Sequence, residues 1–370
     1  MVDGFLLFTI LDVWRMVLPL GLTLILLVTE ILSKWHRGSY YGGMCDVLSP
    51  IVFRLTLCLM VISAVVGLLV PSILGYPLPE SHIAVGPWGY EEILGFLVAG
   101  VCLWRTSQRN VPVMNPSPVW IVCSATVLLG VGMLWIGRWD AMANEGNVQG
   151  GWFVLGFSTL DWTRVVPKAV HLFFSSLAAG GLMVTLLGLF GWRGAPAALP
   201  SIPRPQAVPS QQVIRYGVGW MLSGLVPQML IGPWLFLVLD EVPRGVLIDG
   251  SGFASALFFV SVMAAFVALV FLNASFMVPH VNGLVWGGLI SVVITLVLMG
   301  MIRYVIFLNT LHVKGIPIAV GSLTPFHLLT VMVFLGLLGA MLVRWCVTPR
   351  HGHDSSPSPA VRLDKRFSAN

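Results

Sequence analysis

Residues 166–191 read VPKAVHLFFSSLAAGGLMVTLLGLFG, and this stretch decides the fold. It carries one charge, Lys168, and is longer than the roughly 20 apolar residues a helix needs to cross hydrocarbon. The rest of the chain has the same character. Of 370 residues, 57% are hydrophobic and only 9% are Asp, Glu, Lys or Arg. A soluble domain carries about 25% charge, so this surface belongs in lipid. A soluble enzyme, a nucleic-acid binder and a disordered chain are excluded together.

Apolar runs of spanning length fall near 13–32, 51–70, 88–104, 119–137, 166–191, 217–239, 253–273, 281–308 and 325–347. The third is the weakest, because it holds Glu91 and Glu92. The runs are long and continuous, which excludes a barrel of roughly ten-residue alternating strands. The expected fold is an all-α polytopic transmembrane bundle of about nine spans over 1–348, with a polar tail over 349–370. The segment 196–209 is proline-rich and reads as a linker, and the tail's composition predicts disorder. No basic segment and small-residue cleavage site open the chain, so the first apolar run is expected to be retained. The five cysteines, Cys45, Cys58, Cys102, Cys123 and Cys346, have no metal-binding spacing and read as small hydrophobes.

With the N-terminus outside, about thirteen of the 20 Lys and Arg fall on inner segments, Lys34, Arg54, Arg105 and Arg193 among them. Arg15, Arg138, Arg164, Lys168, Arg244, Arg303 and Lys314 fall outside. The positive-inside rule therefore favours N-outside and C-inside. Asp12, Glu80, Asp140, Glu145, Asp161 and Asp240 gather outside with the Glu91–Glu92 pair. Such a face suits a basic soluble partner or a proton exit; it also follows simply from the depletion of cations there.

Ionisable residues within spans are costly, and each is a functional candidate. His36, His82, His351 and His353 fall in loops or the tail; His171, His280, His312 and His327 remain. His171 lies about one turn inside the fifth span and is followed by Ser175, Ser176, Ala178, Ala179, Gly180 and Gly181. A histidine beside small residues suits axial ligation of haem iron, with the small face admitting a macrocycle. Equally, the small face can serve close helix packing. His327 opens the ninth span at a similar depth, so a bis-histidine haem between the fifth and ninth spans is possible, as is a plain interfacial histidine. His280, at the inner end of the eighth span, and His312, in an outer loop, read as loop residues or quinone-headgroup contacts. Met263 offers a thioether of the kind that pairs with histidine on haem iron, and packing is its other reading. Glu30 and the Glu91–Glu92 pair are the nearest approach to intramembrane carboxylates.

Taken together, these residues give a resemblance. The chain resembles subunit I of the cytochrome bd quinol oxidases, most closely the shortened relatives found beside multihaem cytochromes c. That family has nine spans and an outer N-terminus. Val166-Pro167-Lys168-Ala169-Val170-His171 is similar to its low-spin haem b segment, and 260–265 is similar to the segment bearing that haem's methionine. The resemblance thus implies His171 and Met263 as the axial pair, though the family's arginine before the methionine is missing. It also implies a multi-pass protein of the bacterial inner membrane. Two departures matter. The first-span position of the family's high-spin haem histidine is Trp14, before the turn Leu18-Pro19-Leu20. Glu92 matches the first of two third-span glutamates, whereas the second position is Gly100. The quinol-binding loop is cut to 240–251. The implied function is a haem b electron-transfer subunit that takes electrons from a quinol and passes them to a partner cytochrome c. A quinol:oxygen oxidase and a haem-free scaffold or transporter are the alternatives.

Overall fold

The computed structural model describes residues 2–36, 40–74, 87–108, 118–143, 162–190, 210–239, 241–248, 252–278 and 282–313. Every element among them is a helix: α1 (Val2–Trp35), α2 (Tyr41–Leu74), α3 (Pro87–Ser107), α4 (Pro118–Ala143), α5 (Trp162–Leu189), α6 (Ser210–Leu237), α7 (Glu241–Ile248), α8 (Gly252–Met277) and α9 (Asn282–Val313). Seven are long and apolar enough to cross a membrane, namely α1, α2, α4, α5, α6, α8 and α9. The chain is a multi-pass helical membrane protein. The third expected span forms α3, which is not among the seven. The ninth expected span, the proline-rich linker and the tail lie outside the described residues, and so do His280 and His327.

Some boundaries differ from the sequence reading. Helix α2 begins ten residues before the expected 51, because its buried face, Met44, Cys45, Leu48, Ile51, Val52, Leu55 and Leu59, keeps helical spacing straight through Asp46 and Pro50. Part of the expected 240–251 loop is the short α7. Helix α9 runs to Val313 and so includes His312, which the sequence placed in a loop.

Helix α5 is held between α1 and α6 by its small residues. A Cβ on Gly180 would come 2.7 Å from the backbone of Gly21 on α1, and one on Gly21 would overlap the Ser176 carbonyl. On the α6 side, a Cβ on Gly181 would sit 2.6 Å from the Met221 amide, and one on Gly224 would sit 2.5 Å from that of Ala178. Within lipid, helices associate through such van der Waals contact, because burying apolar surface gains nothing over hydrocarbon tails. The same pairings fix direction. Residue 21 meets 176 and 180 while 25 meets 180, so α1 and α5 run the same way; α6 returns antiparallel. Helices α8 and α9 form a second antiparallel pair, in which Gly287 and Gly288 pack on Phe271 and Leu272.

Hydroxyls inside the bundle are mostly satisfied by their own helix. Thr23, Thr29, Ser176, Thr185, Ser291 and Thr295 each donate to the carbonyl four residues earlier. At the C-terminal end of α1, Thr29 Oγ1 also lies 2.8 Å from Tyr216 Oη. Tyr41 and Trp220 crowd the Tyr216 ring from two sides, each in edge contact. This is the aromatic packing expected at a membrane–water boundary. Removing the Tyr216 hydroxyl in Tyr216→Phe is expected to cost about 1 kcal/mol of stability, read as a small fall in detergent unfolding temperature.

Candidate functional site

The other end of the bundle holds polar groups that their helices do not satisfy. Its geometry follows from the small-residue contacts. Trp14 lies seven residues before Gly21, the point where α1 meets Ser176 and Gly180. His171 lies seven before Ala178, and Ser261 lies seven before Ala268. Ala178 and Ala268 belong to one buried cluster that joins α5, α6, α8 and α9. Helix α8 starts at the end where α6 finishes, because Leu247 of α7 shares a cluster with Ala254 and Leu257. It therefore runs parallel to α1 and α5. At about 1.5 Å per residue, seven residues is about 10 Å along each of three parallel helices. Trp14, His171 and Ser261 thus lie toward the same end of their helices, with α8 packed on α9 and α6 rather than on α1 or α5. Trp14 packs against two buried clusters, one joining α7, α8 and α9 and the other joining α5, α6, α8 and α9.

Each of the three presents a buried polar atom without a hydrogen-bond partner: Trp14 Nε1, His171 Nδ1 and Ser261 Oγ. Ser261 is fully buried. The only other such atoms among the described residues are Ser49 Oγ and Thr56 Oγ1 on α2. A buried polar group in a native protein normally has a partner, so each of these atoms stands out.

Charged groups line the same end. Arg15, next to Trp14, donates to Glu92 of α3 at 2.9 Å, with side-chain exposures of 16% and 4%. Glu92, which the resemblance matched to a glutamate of the oxidases, is held here by an arginine. Arg303 of α9 stacks 3.9 Å above the ring of Trp135 on α4. Breaking one side of a buried pair leaves an uncompensated charge, so Arg15→Ala is expected to cost about 3 kcal/mol. Arg15→Met combined with Glu92→Leu is expected to recover most of that loss. Thermal unfolding of the two variants in detergent checks this.

The residues singled out from sequence fare differently. His171 is half-buried, with Nδ1 sealed. The small-residue run after it is filled by α1 and α6, so no macrocycle lies against that face. Met263 is 60% exposed. Two residues on a helix lie about 200° apart, so α8 turns Ser261 into the bundle and Met263 out of it. Among the described residues the structure does not bring Met263 to His171. His327 lies outside the described residues. His36 is exposed, as its loop position implies. Cys45 and Cys102 are buried, whereas Cys123 is exposed.

Tested against haem, the site offers one fitting axial donor. A ligating histidine uses one ring nitrogen for iron and has the other available for a hydrogen bond. The Nδ1 of His171 has no competing structural bond. The thioether of Met263 lies on the exposed side of α8. Among the described residues no three His, Cys, Asp or Glu side chains gather at a metal site, but an axial haem position needs only one imidazole. Sequence reasoning missed Ser261 and treated Trp14 only as a departure; their burial without a partner depends on helix pairings that no local pattern carries. No family model matches this sequence, and no curated protein matches it.

Proposed function

We propose that this chain is a haem b-carrying electron-transfer subunit of a quinol oxidoreductase in the bacterial inner membrane, with His171 as an axial ligand. The observation that supports it most is the sealed, unpartnered Nδ1 of His171 inside a span, since an imidazole without a structural bond is costly in lipid. In this reading the N-terminus is outside, nine spans are present, and the His171 level lies near the outer face. Haem b, when bound, supplies one-electron transfer. The chain's own part is to ligate, to exclude water through the surrounding apolar clusters, and to keep the site within reach of a cytochrome c docked on the acidic outer face. With Met263 on the exposed side of α8, we assign the second axial position to His327, on the depth its sequence position gives.

The test is anaerobic addition of a short-tailed quinol to purified oxidised protein. The reading expects a reduced haem b α-band without any need for oxygen. A protein that takes up oxygen on quinol, with a high-spin signature, is an oxidase instead. The spending of the small-residue face on helix packing favours one other reading, a haem-free scaffold, and a protein without any haem band would establish it.

A further inference from the structure

Helix α2 carries a half-buried arginine, Arg54, on its outward side. Pro50, Leu57, Cys58 and Val61 stand at helical spacing from it on the same side, and Leu57 and Val61 are exposed. The opposite stripe, Leu48, Val52, Leu55 and Leu59, is buried in one cluster with Leu22, Ile25 and Leu26 of α1. Among the described residues, no hydrogen bond or ion pair holds the Arg54 guanidinium.

Two helices place this charge deep in the span. In the sequence Arg54 sits near the start of an apolar run from 51, but the stretch of spanning length and hydropathy is Tyr41–Val61. Arg54 lies thirteen residues past Tyr41, about 20 Å along α2. Tyr41, whose ring belongs to the aromatic boundary layer, is therefore farther off than an arginine side chain can snorkel. On α1, Ser33 lies within hydrogen-bond reach of Cys45, so α2 returns along α1 from that point. Nine residues on, Arg54 is level with Leu24, the midpoint of the α1 span Val13–Trp35.

A charge in hydrocarbon is costly without a counter-charge. Neither Glu30 nor Asp46, the carboxylates on this half of α1 and α2, serves Arg54. Glu30 is buried and faces Lys34 at 3.8 Å. Asp46 is two turns earlier, about 12 Å along the helix, and has an interaction of its own. The apolar run 325–347 contains no Asp or Glu. A second copy docked by the same face about a twofold axis would set Arg54 against Arg54.

We propose that the outward face of α2, at Arg54, Leu57 and Val61, docks a membrane-spanning helix of a partner protein, and that this helix carries an Asp or Glu that pairs with Arg54. The planar guanidinium suits such a pair, because it can hold both carboxylate oxygens at once. The contact stands whether or not the chain carries haem.

The test uses the full chain in detergent micelles and a labelled synthetic helix of about 20 Leu and Ala residues with one central Glu. Association is read by fluorescence transfer. Wild type is expected to hold the Glu helix about tenfold more tightly than the same helix with Leu there, a coupling at the low end of measured charge pairs. Arg54→Leu should lose that preference, Arg54→Lys should keep part of it, and Arg54→Glu should transfer it to a helix with a central Lys. Because no bond within the chain holds Arg54, Arg54→Leu should leave the unfolding temperature unchanged. A wild type without preference for the Glu helix overturns the inference, and so does an equal preference in Arg54→Leu. Native mass spectrometry of the same proteins covers the other occupants. A dimer, or a retained anionic phospholipid, that is present in wild type and lost in Arg54→Leu overturns the inference in favour of a second copy or a lipid. A marked fall in the unfolding temperature of Arg54→Leu overturns it in favour of a bond within the chain.

Discussion

His171→Ala is expected to remove the haem b α-band from the reduced-minus-oxidised spectrum, leaving less than about a tenth of the wild-type haem. Losing an axial bond removes the cofactor's anchor, and second-shell changes around metal sites already cost about 10–100-fold in affinity. His327→Ala is expected to do the same, or to convert the band to a high-spin form, because one strong ligand is lost while His171 stays. Met263→Ala is expected to keep the full band. Its side chain lies on the exposed face of α8, opposite the inward Ser261. The three variants therefore separate two axial assignments. A band lost in Met263→Ala and kept in His327→Ala would return the pair to His171 and Met263, and would require α8 to turn. Imidazole added to His171→Ala should restore part of the band if the fold is intact, which distinguishes a missing ligand from a collapsed protein.

The second large effect falls on the helix contacts. Gly21→Leu and Gly181→Leu are each expected to lower the unfolding temperature in detergent by about 10 °C or to prevent accumulation of folded protein. A side chain at Gly21 would overlap the Ser176 carbonyl, and one at Gly181 would start 2.6 Å from the Met221 amide and 2.7 Å from the Gly217 carbonyl. These are backbone atoms, which cannot swing aside as a side-chain end can. The helices must separate, and all contacts along α1–α5 or α5–α6 weaken with them. Gly219→Leu is the matched control, because a Cβ at Gly219 meets nothing within 4 Å.

The two effects show which parts of the molecule its sequence could reveal. Membrane residence and helical class were legible, because 9% charge and runs such as 166–191 leave no other solvent. The start of α2 was not, since Asp46 and Pro50 interrupt the apolar run while the buried stripe from Met44 to Leu59 continues beneath them. His171 stood out as an imidazole in an apolar run. The purpose of the small residues after it did not, because composition does not say whether a helix or a ligand approaches a flat face; the structure brings Gly21, Gly217 and Gly224 there. Ser261 was invisible for another reason. Serines in spans commonly bond back to their own helix, and only the pairing of α8 with its neighbours buries this one without a partner. The Arg15–Glu92 bond joins residues 77 apart, a pairing that no local pattern encodes.

The proposal of haem b on His171 stands or falls on one quantity. The most direct measurement is the haem content of the purified wild-type chain, by pyridine haemochrome against protein concentration. About one haem b per chain is expected, since an ionisable side chain inside a span is a functional candidate by default. A pure, monodisperse, folded protein with no haem would contradict it.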